Sequence, residues 1–66
     1  MKATINGELR EMPEGTTLAA LLDALGVTRN GIAVAKNDSV VRRADYETST
    51  IAEGDSVEII KAVAGG

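Results

Sequence analysis

The side chains of this sequence that could take part in chemistry are scattered carboxylates and one pair of adjacent arginines. Glu11 and Glu14 flank Pro13 in a turn-forming segment, where both are expected to be exposed charges. The other Asp and Glu residues lack the alternating oxygen ligands of a calcium loop. Arg42 and Arg43 do not form an anion clamp, because successive side chains of an extended segment point to opposite sides. These side chains predict neither a catalytic site nor a metal site.

His, Cys, Phe and Trp do not occur among the 66 residues. Without them the chain lacks the commonest general base, cysteine nucleophiles, thiolate zinc sites and disulfides. Tyr46 is the single aromatic residue and the net charge is −3, a composition that disfavours base stacking and phosphate binding. No apolar run approaches the roughly 20 residues of a membrane span, and the first residues show no signal region. We therefore expect a cytoplasmic protein that binds neither nucleic acid nor membrane and is not an enzyme.

The remaining reactive group is the end of the chain, Gly65-Gly66 with its α-carboxylate. A carboxylate is a poor electrophile and must be activated in a partner's active site, for example as an acyl-adenylate. Glycine has no Cβ, so this backbone can enter a narrow channel and leave the reacting carbonyl unhindered. The five residues after Lys61 reach roughly 17 Å at about 3.3–3.6 Å per residue. We expect a single domain over residues 1–66, with residues 64–66 as a flexible functional tail. The alternative is that the terminal glycines are a frayed end without function.

A hairpin is predicted at the start of the chain. Alternation of apolar and polar residues over residues 1–5 is typical of a half-buried strand. Asn6-Gly7 is typical of a type I′ hairpin turn, because both of its central positions need positive φ. A return strand with Leu9 and Met12 follows and ends at residues 13–15.

The clearest helix of the sequence comes next. Thr17 can cap its start by accepting a backbone N–H bond, and Gly26 is the expected left-handed stop. Between them lies one apolar stripe, which predicts the face that packs on the core: Leu18, Leu21, Leu22 and Leu25.

The second half of the chain indicates further strands. Residues 32–35 are nearly all apolar, which predicts a central strand buried on both faces. Val40-Val41 forms a short strand, Tyr46 anchors an irregular polar loop, and residues 56–62 form the last strand. A helix laid across one face of a mixed sheet is an α+β solution. Parallel pairing of the first and last strands, with the helix as crossover, gives a β-grasp (ubiquitin-like) fold.

Several stretches together resemble the ThiS family of sulfur carriers in thiamin biosynthesis, along essentially the whole chain. One departure is Arg42, where the family often has proline. The matching stretches are Gly15-Thr16-Thr17-Leu18 before Leu21-Leu22, Ala35-Lys36-Asn37, Val40-Val41 with Arg43 and Tyr46, Glu53-Gly54-Asp55 before Val57-Glu58-Ile59, and Ala62-Val63-Ala64-Gly65-Gly66.

The resemblance implies a carrier that is a protein co-substrate and, when free, a monomer without bound cofactor or metal. A partner adenylyltransferase of the ubiquitin-activating type uses ATP to convert Gly66 to a glycyl adenylate. Sulfur derived from a cysteine desulfurase then displaces AMP, which gives a 1-thioglycine thiocarboxylate. This thiocarboxylate donates its sulfur to thiazole synthase. In this scheme Gly66 carries the sulfur, Gly65 gives clearance, and Ala62, Val63 and Ala64 dock the root of the tail. A core role at the end of the last strand fits Ala62 and Val63 equally well.

Other functions fit the same sequence features. The small subunit of molybdopterin synthase is a related carrier that also ends in Gly-Gly, and ubiquitin-like modifiers conjugate to proteins through such an end. A noncovalent β-grasp adaptor, binding along a sheet edge, would not use the tail at all.

Overall fold

The structure, a computed structural model, describes residues 1–61. Within them a mixed sheet has the strand order β2-β1-β5-β3-β4, with β1 parallel to β5 and the other neighbours antiparallel. The α+β, β-grasp arrangement predicted from the sequence is confirmed. The elements are β1 (Lys2–Ile5), β2 (Glu8–Glu11), α1 (Leu18–Leu25), β3 (Ile32–Lys36), β4 (Ser39–Val41), a 3₁₀ turn (Arg43–Asp45) and β5 (Ser56–Lys61).

The first hairpin turn forms where the sequence predicts it. Asn6 and Gly7 have φ values of 53° and 80°, the positive angles that both central positions of a type I′ turn require. The turn joins β1 to β2, whose register places Ile5 opposite Glu8.

The limits of α1 also agree with the prediction. At its start the Thr17 hydroxyl oxygen accepts the Ala20 N–H at 3.0 Å. At its end Gly26 adopts φ 70°, and its N–H donates to the Asp23 carbonyl at 3.1 Å. The helix is therefore bounded by the predicted N-cap and the predicted left-handed stop.

The core lies between α1 and one face of the sheet. The helix contributes its leucine stripe, and the sheet contributes the inward side chains of its central strands. The largest fully buried side chains are Leu18, Leu22, Val34 and Val57.

Tyr46 fastens the polar loop between β4 and β5 to this core. Its side chain is buried, and its carbonyl accepts the Ala19 N–H at 2.9 Å. That N–H lies in the first turn of α1, where no carbonyl of the helix itself can reach it. The loop is thus anchored twice, by the ring and by the backbone bond.

The predicted burial of residues 32–35 on both faces is wrong. β3 has neighbours on both sides, β5 and β4, yet only Val34 is buried and Ala33 is exposed. The described helix covers one face of the sheet, so the side chains on the other face meet solvent. Alanine counts as apolar in a hydrophobic pattern and so indicates burial, but its side chain is small enough to lie on a solvated face.

Arg42 occupies the position where the resembling family often has proline. Its backbone has φ −70° and ψ 145°, angles that proline itself adopts. The 3₁₀ turn Arg43–Asp45 follows directly and leads to Tyr46. The backbone conformation at Arg42 is therefore one that proline could also adopt.

Candidate functional site

The predicted functional residues Gly66, Gly65, Ala64, Val63 and Ala62 lie outside the described residues, and so does the predicted flexibility of residues 64–66. The structure describes the segment from which they leave, the last residues of β5. This segment is therefore the part of the candidate site whose geometry can be given.

β5 is the middle strand of the sheet. Along one edge it pairs with β3 from Val57 to Lys61, which lies opposite Ile32. Along the other edge it pairs with β1 only at Ser56 and Val57. Since the chain of β1 turns away at Asn6, the last residues of β5 have a strand neighbour on one side only within the described part of the chain.

The side chain of Asn6 reaches the unpaired edge of β5. Its Oδ1 accepts the Ile59 N–H at 2.7 Å, and its Nδ2 donates to the Ile59 carbonyl at 3.3 Å. Both backbone polar groups of Ile59 are thereby satisfied two residues before Lys61. The sequence pattern assigned Asn6 to the turn alone, and no periodicity signal points to this second role.

The first residues of β5 have a similar side-chain contact, with a residue of the turn between β3 and β4. Asn37, at φ 51°, accepts the Ser56 N–H through Oδ1 at 2.9 Å. Its Nδ2 donates to Asp55 Oδ1 at 2.9 Å, while Asp55 Oδ2 accepts the Ala52 N–H at 2.8 Å. The Ala52 amide and then the Asn37 amide hold the pKa of the Asp55 carboxyl below its usual range.

A lowered pKa at Asp55 makes stability depend on pH in the acid range. The carboxylate stabilises the fold above the unfolded-state pKa of about 3.9, and this contribution is lost as pH falls through the lower folded-state pKa. We expect Asp55→Ala to cost about 1–3 kcal/mol at pH 7, because charged hydrogen bonds are removed. Denaturant melts should show that the difference in unfolding free energy between Asp55→Ala and wild type is smaller at low pH than at pH 7. An equal difference at both pH values would contradict this role.

The face of the sheet opposite α1 carries exposed apolar side chains next to the end of β5. Ile60 is 57% exposed, and the register of β5 with β3 places it beside Ala33. Val40 and Leu9 are 78% and 64% exposed on this same open face. Ile60 immediately precedes Lys61, so an exposed apolar side chain lies next to the last described residue.

Other candidate sites within residues 1–61 carry no assembled chemistry. No group of three or more metal-ligating side chains lies together in this part of the chain, and no helix in it is long and apolar enough to cross a membrane. A cavity of about 390 Å³ between β2 and α1 has no residue of β5 in its lining, so it does not adjoin the root of the tail. It is lined mainly by Met12, Pro13, Ala20, Leu21, Ala24 and Leu25.

A sequence model of the ThiS family matches residues 3–66. The sulfur carrier protein ThiS of Thermus thermophilus is 34% identical over 62 residues, covering 94% of this chain and 95% of the relative. A crystal structure of the thiamine biosynthesis protein ThiS from Geobacter metallireducens superposes with a TM-score of 0.86 at 30% identity, covering 100% of both chains.

Two longer proteins also match. The thiazole synthases of Paramagnetospirillum magneticum and Magnetococcus marinus are each 38% identical over 66 residues, the whole of this chain. The chain spans 20% of the length of each of these relatives. A segment similar to this domain is thus part of a larger polypeptide in both.

Proposed function

We propose that this chain, which belongs to the ThiS family, is a sulfur carrier of thiamine biosynthesis that bears its sulfur on the terminal carboxylate of Gly66. The observation that carries this proposal is the extent of the family match, which runs through residue 66 and so includes Gly65-Gly66. The fold supports it, because the central strand β5 ends at Lys61, four positions before Gly65 in the sequence.

The chemistry proceeds in three steps: adenylation of the carboxylate, displacement of AMP by sulfur, and cleavage of the resulting S–S bond. ATP first converts the Gly66 carboxylate to a glycyl adenylate and releases pyrophosphate. The terminal sulfur of a persulfide, charged by a cysteine desulfurase, then attacks the acyl carbon and displaces AMP, which gives an acyl disulfide. A thiolate of the partner attacks the other sulfur of that S–S bond, so that a disulfide forms on the partner and the 1-thioglycine thiocarboxylate is released. The ATP belongs to the partner's active site, and the carrier holds no cofactor of its own. The chain acts as a protein co-substrate, since the nucleophiles and bases come from its partners.

Two partners follow from this chemistry. An adenylyltransferase of the ubiquitin-activating type supplies the ATP site, and thiazole synthase accepts the sulfur. The match of this whole chain to part of two thiazole synthases supports the second partner, since domains fused in one polypeptide often correspond to separate interacting chains. We assign this exchange to the cytoplasm, where ATP is abundant.

The approach of a partner is constrained by the place where the tail begins. A partner that receives Gly66 must contact the surface around Lys61, which includes the exposed Ile60 on the open sheet face. Residues 62–64 (Ala62, Val63 and Ala64) would then dock the root of the tail, while Gly65 gives clearance in the channel. The partner would then not contact α1 or the sheet face that α1 covers, so the core would stay intact in the complex.

Mass spectrometry of the 66-residue chain tests the proposal. Incubation with an activating enzyme, ATP, a persulfide donor and a thiol reductant should replace one carboxylate oxygen of Gly66 by sulfur, and omission of ATP should prevent it. An isopeptide bond to a lysine of another protein would instead identify a ubiquitin-like modifier. An unchanged C-terminus under conditions that convert a known ThiS would favour the noncovalent adaptor and contradict the carrier function.

A further inference from the structure

The Asn6 side chain continues the parallel pairing of β1 and β5 after the main chain of β1 has turned away. The Asn6 N–H donates to the Val57 carbonyl at 2.8 Å, as a parallel ladder requires. In a longer ladder the Asn6 main-chain carbonyl would accept the next free N–H of β5, that of Ile59. Here Oδ1 of the same residue accepts it at 2.7 Å. The side-chain amide thus takes the place of a peptide group.

This substitution completes the pairing of β5 close to the tail. The Ile59 carbonyl would otherwise bond an N–H of a further β1 residue, and it receives Nδ2 of Asn6 instead. On the opposite edge β5 pairs with β3, with Ile59 opposite Val34 and Lys61 opposite Ile32. This part of β5, up to two residues before Lys61, is therefore held on both edges.

From this geometry we infer that Asn6 is a positioning residue for activation of the tail, an inference that rests on the proposed function. The partner must take up a segment of five residues after Lys61. If β5 had no contact on its β1 side beyond Val57, its last residues would be less ordered in the free protein. Ordering these residues on binding would then cost conformational entropy and weaken the affinity for the partner. Asn6 removes that cost in advance, because it orders Ile59 before the partner arrives.

Asn37 provides a matched control at the other end of the same strand. It also adopts positive φ, at 51°, and its side chain also bonds a β5 amide, that of Ser56 at 2.9 Å. Glycine fits both positions, because it adopts positive φ without strain. Asn6→Gly and Asn37→Gly therefore keep both turns and remove side-chain contacts to the two ends of β5, one near the tail and one far from it.

The test compares the two variants in the free protein and with the activating enzyme. In NMR experiments Asn6→Gly should speed amide hydrogen exchange at Ile59 and lower the order parameter of Lys61, while Asn37→Gly should leave both near wild type. In ATP–pyrophosphate exchange Asn6→Gly should raise KM for the carrier roughly three- to tenfold, the cost of ordering one or two residues. The kcat should stay near wild type, since the partner's channel fixes the tail once it is bound.

Each outcome decides the inference. A KM for Asn6→Gly equal to that of Asn37→Gly would overturn it, since a general loss of stability affects both variants. A raised KM with unchanged Ile59 exchange and Lys61 order would also overturn it, because Asn6 would then contact the partner directly. If the wild-type chain gave no exchange, the proposed function would fail, and the NMR comparison alone would still decide whether Asn6 orders the end of β5.

Discussion

Adding a single residue after Gly66 is expected to abolish adenylation while leaving the fold and partner binding nearly intact. The adenylating site must present one carboxylate to ATP in an in-line geometry, where a misplacement of about 1 Å can reduce the rate roughly a hundredfold. One more residue moves the reacting carbon by about 3.5 Å. Deleting Gly66 should be as severe, because the carboxylate then falls short of the ATP.

ATP–pyrophosphate exchange with the activating enzyme measures this effect, and a binding titration runs beside it. Gly66→Ala is the matched control, because it adds a methyl group next to the carbonyl but keeps the reach of the tail. Its loss of exchange should be the smaller one. If the extended chain exchanged as well as wild type, the carboxylate of Gly66 would not be the reacting group.

Local signals were sufficient for the hairpin turn and the helix limits. Asn6-Gly7 and Gly26 occur where the backbone needs positive φ, and Thr17 occurs where the helix needs a side-chain acceptor. These requirements act within a few residues of sequence, so the residue types reveal them directly. The parallel pairing of β1 with β5 was also predicted from sequence, because both strands have enough apolar residues for a central position in the sheet. The helix α1 itself joins β2 to β3, which are not neighbours in the sheet.

The burial of β3 could not be read from residue types alone. Ala33 and Val34 are both apolar, yet Ala33 is exposed and Val34 is buried. Which face is covered depends on where α1 packs, and that is a tertiary property. The same limit applies to Leu9, an apolar residue of a predicted strand that lies on the open face.

The candidate site also has one part that sequence could predict and one part that it could not. The role proposed for Gly65-Gly66 depends on the general chemistry of a carboxylate and of glycine, so it could be proposed from sequence. The contact between Asn6 and Ile59 joins residues 53 positions apart and depends on how β5 passes the hairpin turn. No pattern within either segment contains that information.

Replacing Leu22 by alanine is expected to remove much of the stability of this domain. Leu22 is 1% exposed in the core with Leu18, Val34 and Val57. Truncating a buried leucine costs about 2–5 kcal/mol, because apolar contacts are lost and a cavity remains. Domains have only about 0.05–0.15 kcal/mol of stability per residue, so a 66-residue chain has little to lose.

Leu9→Ala is the matched control, since the same side chain is removed from a position that is 64% exposed. Denaturant melts of both variants should show a large loss at Leu22 and a loss below about 1 kcal/mol at Leu9, the range usual for surface substitutions. Because the two replacements delete identical atoms, the difference between them measures burial against the sheet. Similar losses at the two positions would mean that the leucine stripe of α1 does not form the core.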